Sequence, residues 1–176
     1  MLVIVGHGPG VLRASGEWID TQTVVRLKHA PMSPSNFGTR TDYLCATSQD
    51  WRARFKKRFD ISPTLWLFDH NRHYQRSDRL GKEISHGVFL ADTPRWIKYF
   101  AEFKPKNPKP STGLCAVFCA VEQGFNDIAL VGFDSFTTDD RRTGKWFDPT
   151  PSTLWYHDQR AERQALEGLG VSFHHI

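Results

Sequence analysis

The chain of 176 residues contains no apolar run near the roughly 20 residues needed to span a bilayer. Its opening lacks the basic flank, long apolar core and cleavage site of a secretory leader. Both absences predict a cytoplasmic protein without a membrane segment. It has three cysteines, which cannot all pair with one another. Cys115 and Cys119 lie four apart in an apolar stretch with no further Cys or His at zinc-ligand spacing, so they read as small buried hydrophobes in a reducing compartment. Internal repeats and low-complexity tracts are absent. Gly6-His7-Gly8-Pro9-Gly10 lacks the glycine spacing of the dinucleotide fingerprint and the lysine of a P-loop. The aspartates between Asp134 and Asp140 lack a paired Asp-x-Asp, and His70 and His73 lack a third ligand, so no metal is expected.

What is present suits one α/β domain over residues 1–176, long enough to bury a sizeable core. Leu2 to Val5 is a continuous apolar run entering the glycine turn, as a buried parallel strand does. Thr23 to Leu27, Tyr43 to Thr47, Leu65 to Phe68, Ile128 to Gly132 and Val171 to His174 read as further strands. Helices are predicted over Gln49 to Phe59, over Gly113 to Glu122 with Ser111 as cap and Gly124 as stop, and from about Leu154 to Leu169. Pro105 to Pro110 is a loop by its three prolines, and Phe133 to Pro151 is a long one. Alternating strands and helices predict a Rossmann-like, mostly parallel sheet with helices on both faces.

Three places carry candidate chemistry. Glycines after the first strand allow either a plain turn or a close backbone approach to phosphate. Pro110-Ser111-Thr112-Gly113 is either a helix cap alone or an anion and ribose site at a helix start. His157 and Glu162 are five apart, about 500° of helix, so they share a side only if His157 stands just before the first turn. At a helix N-terminus the imidazole would favour its neutral, basic form. The formal charge of +4 and pI near 9.1 suit anionic partners. A rival class is nucleic-acid binding through Arg52, Arg54, Lys56, Lys57 and Arg58 beside Trp51 and Phe55.

In order and context these segments resemble the sialylmotifs of the eukaryotic-type sialyltransferases. Leu2 to Ser48 looks like the large motif, through Val3-Ile4-Val5-Gly6, Ile19-Asp20, Val25-Arg26-Leu27-Lys28-His29-Ala30-Pro31 and Phe37-Gly38-Thr39-Arg40-Thr41-Asp42. Pro110 to Asp134 is similar to the small motif, and His157 with Glu162 to the very small one. The resemblance implies an inverting, metal-independent GT-A-variant transferase that moves sialic acid, or another acid such as 3-deoxy-manno-octulosonic acid, from its CMP-sugar to an acceptor hydroxyl. By position, Gly6, His7 and Gly8 would face the donor phosphate and Lys28 would stand near it. Ser111, Thr112 and Gly113 would hold ribose or cytosine, His157 would be the base, and Glu162 would support it. A minimal bacterial or phage member fits. The family's usual asparagines are replaced by His7 and Lys28, its inter-motif cysteines have no counterparts, and its third motif survives at most as Trp155-Tyr156. The same pattern admits a CMP-binding protein without transferase activity.

Overall fold

A computed structural model describes residues 1–27, 35–47, 64–68, 88–133 and 157–176. In chain order the elements are β1 (Leu2–Val5), a 3-10 turn (Pro9–Arg13), α1 (Gly16–Asp20), β2 (Thr23–Leu27), β3 (Tyr43–Thr47), β4 (Thr64–Phe68) and β5 (Val88–Leu90), then α2 (Thr93–Ala101), α3 (Thr112–Glu122), β6 (Asp127–Val131), α4 (Gln159–Glu167) and β7 (Ser172–His175). The strands form one sheet in the order β5-β4-β3-β2-β1-β6-β7. Every pairing is parallel. The expected doubly wound architecture is thus present.

Strands buried on both faces need no alternation, which is why apolar runs marked them. In β1, Leu2 and Ile4 face a core shared with α2, α3 and α4, while Val3 and Val5 face Val11, Ile19 and Phe37 on the other side. Most ends differ from the expected ones by a residue or two, and the last helix starts about five residues later than the expected Leu154. Gly132 has φ +71 and so leaves the strand that Val131 completes. The last helix begins at Gln159, because the Asp158 side chain caps it by accepting from the Ala161 amide at 3.2 Å. Three elements were not foreseen: α1, β5 and α2. The predicted helix at Gln49 to Phe59, its basic patch, His70, His73 and the stretch 134–156 lie outside the described residues.

The helical layer that carries the site is cross-braced. Trp96 of α2 stacks on Phe118 of α3 at 4.6 Å and donates its indole N–H to Glu122 Oε2 at 2.7 Å. Tyr99 donates its hydroxyl to the Ala165 carbonyl of α4 at 2.7 Å. Cys45, Cys115 and Cys119 are buried thiols, not joined by disulfides. Burial and the adjacent Cys45 push the Cys119 thiol well up, away from thiolate reactivity. No helix among the described residues is long and apolar enough to cross a membrane.

Candidate functional site

The strand order reverses beside β1, whose two neighbours are β2 and β6. In open parallel sheets the crevice beyond the carboxyl ends of such strands is where ligands bind. Gly6-His7-Gly8 leaves β1 there, and Gly132-Phe133 leaves β6. The two exits are zipped together: the Gly6 amide donates to Val131 O at 2.7 Å and the Gly8 amide to Gly132 O at 2.8 Å. Two amides expected to greet a phosphate are therefore already engaged. A Cβ on Gly6 would lie 2.6 Å from Gly132 O and 3.0 Å from the Phe133 ring, and one on Gly113 would lie 2.7 Å from the same ring. The close approach that these two glycines permit is to Phe133, which wedges β1 against the start of α3. Phe133 is a residue that the sequence reading did not single out, although it directly follows the Gly132 that turns the chain.

Ser111 opens α3 in the extended conformation, and its Oγ accepts from the Leu114 amide at 3.2 Å. That confirms the capping role. It also does more: the Ser111 amide donates to Glu162 Oε1 at 2.6 Å and its hydroxyl donates to Glu162 Oε2 at 2.8 Å. With Leu114 served by Ser111, the N–H groups of Thr112 and Gly113 are left without an intrahelical acceptor at the helix end, where the macrodipole favours an anion.

Asp158 caps α4 with one carboxylate oxygen and accepts from the Lys106 amide at 2.9 Å with the other. One residue earlier stands His157, outside the helix, and this resolves the five-residue spacing: its Nδ1 lies 3.9 Å from Glu162 Oε1. The imidazole is about one-third exposed, its side chain at 34%, while Glu162 is 2% exposed. Burial raises the Glu162 carboxyl to about 7, against the opposing pull of the two Ser111 hydrogen bonds and with a further push from Asp158. Near neutral pH Glu162 is thus partly ionised.

Not every motif residue reaches this edge. Asp20 accepts from the amides of Thr39 and Arg40, both at 2.8 Å, and Asp42 accepts from the Val24 amide at 2.8 Å. These contacts lie before or at the first residues of β2 and β3, at the opposite, amino-terminal ends of the strands. Arg26, fully buried, donates to the carbonyls of Phe37 at 2.8 Å and Arg40 at 3.0 Å. Burial lowers it to about 10, partly offset by Asp20. These residues of the large-motif resemblance build the frame. Lys28 and Trp155-Tyr156 lie outside the described residues. Among the described residues no group of three His, Cys, Asp or Glu side chains is placed to hold a metal.

Solved structures match this arrangement of strands and helices over nearly the whole chain. The fold is similar to that of the sialyltransferase CST-II. Its complex with a trisaccharide acceptor and CMP superposes with TM-score 0.66 at 15% identity, over 99% of this chain and 79% of that one. CstII from Campylobacter jejuni with the substrate analogue CMP-3FNeuAc gives 0.65 at 13% identity, over 99% and 79%. Monomeric CstII gives 0.62 at 13%, over 99% and 80%. The likeness is therefore to a CstII-type fold and not specifically to the eukaryotic-type enzymes suggested by motif order. No protein-family model and no curated protein sequence matches the chain.

Proposed function

We propose that the protein is an inverting glycosyltransferase that moves sialic acid or a related acidic sugar from a CMP-sugar to an acceptor hydroxyl in the cytoplasm. The observation that carries this reading is the approach of His157 to Glu162 at 3.9 Å, directly beside the start of α3. The fold likeness to CMP-bound sialyltransferase structures supports the donor class.

In this scheme the amides of Thr112 and Gly113 meet the donor nucleotide, with Ser111 fixing their direction and the Gly6-His7-Gly8 turn and Lys28 flanking the phosphate. His157 takes the acceptor proton as the acceptor oxygen bonds to the anomeric carbon. The bond from that carbon to the phosphate oxygen breaks and its electron pair leaves with CMP. Glu162 carboxylate steadies the imidazolium, and donors fixed before the reaction hold the departing charge. Cytosine specificity is tested by calorimetry, where CMP should bind and UMP and GMP should not compete; equal affinities would end the donor assignment. His157→Ala should lower turnover by about 10² to 10⁴ and leave CMP affinity unchanged. Retained turnover would remove the base assignment.

A further inference from the structure

The ring of Phe133 lies between the glycine turn and the start of α3, and each of them faces a different edge of it. A Cβ on Gly6 would meet the ring at Cε2 and Cδ2, 3.0 and 3.1 Å away, whereas one on Gly113 would meet Cε1 at 2.7 Å and Cδ1 at 3.5 Å. The two backbones are therefore held one phenyl ring apart, with no room for a methyl group on either side. One side of this spacer is fixed. The Gly6 and Gly8 amides are bonded to Val131 O and Gly132 O, so the turn and the end of β6 form one body. Gly132 delivers the ring from that body: its φ of +71 turns the chain, and a Cβ there would lie 3.1 Å from Gly8 O. On the other side, the two Ser111 bonds to Glu162 anchor the α3 start to α4 and not to the turn. Contact with the ring gauges its distance from the end of β1.

That distance matters to a ligand. Amides serve an anion only over a narrow range of length and direction, and the field of a helix start fades within its first turn. Resting on the transferase reading above, we propose that Phe133 is a positioning residue of the donor site: its ring fixes the gap between the Gly6-His7-Gly8 turn and the amides of Thr112 and Gly113, and so sets the affinity for CMP. The ring touches no reacting atom. A flat, rigid side chain suits the task, because an unbranched chain of similar bulk fills the same space without holding two surfaces at a set spacing.

The test measures CMP binding by calorimetry and Tm for the full chain and for F133M, F133L, G113A and F133L/G113A. F100M is the control, the same change at another buried ring of the same core, in α2 and outside the donor site. F133M should weaken CMP binding about tenfold, whereas F100M should leave it within about twofold at a comparable loss of Tm. F133L and G113A should each weaken binding, but the double variant should bind no more weakly than G113A alone, because the added methyl takes the space of the lost ring edge. If folded F133M binds CMP as F100M does, the ring only fills the core and the proposal is overturned. Multiplying effects of F133L and G113A overturn it too, and they decide alone if F133M does not fold. These outcomes leave the transferase reading standing; if wild type does not bind CMP, that reading falls and this proposal falls with it.

Discussion

The two ends of the sheet each use a carboxylate to tie distant backbone amides together, and the two carboxylates titrate in opposite directions. At the amino-terminal edge Asp20 takes the amides of Thr39 and Arg40. Burial would raise its carboxyl, but those amides and the Thr39 hydroxyl outweigh that, and it lies below its ordinary value. At the carboxyl-terminal edge Glu162 takes the amide and hydroxyl of Ser111, yet burial dominates and lifts it to about 7. Similar partners therefore give a permanently charged clamp at one end and a group poised to change charge at the other. Solvent access decides between them.

The comparison is broken most severely at Gly38. Its φ of +65 and a would-be Cβ 2.2 Å from Asp20 Oδ1 leave no room for a side chain. Gly38→Ala should cost about 4 kcal/mol in denaturant unfolding, through strain and loss of the clamp. CMP affinity of the folded fraction should not change. A loss under about 1 kcal/mol would show the clamp to be dispensable.

Next comes the pH response of Glu162. Because the folded carboxyl sits near 7 and the ordinary value is 4.5, the fold holds this proton more tightly than the unfolded chain. The linked stability, on the order of 3 kcal/mol, is full below about pH 4.5 and is lost as pH rises through about 7. Wild-type Tm should then fall by about 6–10 °C between pH 5 and 8 from this group, and Glu162→Gln should flatten that slope. An unchanged slope in the variant would assign the response elsewhere. The smallest effect belongs to Asp20→Asn, about 1–2 kcal/mol at neutral pH. Its sign is reversed: a depressed carboxyl stabilises above its ordinary value of 3.8, and this is lost as pH falls through the lower folded value. The variant should lose its deficit in acid.

These ends also differ in how far they were legible. Leu2–Val5, Thr23–Leu27 and Tyr43–Thr47 were readable to the residue, because strands buried on both faces are plain apolar runs bounded by turn residues. The helix α2 carries comparable local signals, with Asp92 as cap, Pro94 in its first turn and Trp96 and Phe100 four apart, and is recoverable by the same rules. Three-residue β5 is too short for any period to show. At the site, His157 and Glu162 were found by motif order, whereas their relation to Ser111 was not. That bond spans 51 positions and has no local signature. Phe133, which gives Gly6 and Gly113 their packing reason, is invisible for the same cause. Asp20 and Asp42 were read with a ligand-binding motif and prove to brace the frame, since a motif's sequence does not say which end of a strand its residues occupy.

The position of β1 has a consequence for how the protein is made. Of the described strands Leu2–Val5 comes earliest in the chain, yet it lies inside the finished sheet, with β6 at residues Asp127–Val131 as its second partner. Throughout synthesis of the intervening chain, one side of an apolar strand stays open to any other extended segment it meets. Closing it requires a long loop to be drawn in, a slow step in folding. The longer that half-built state lasts, the longer an apolar strand edge is exposed to association with other chains.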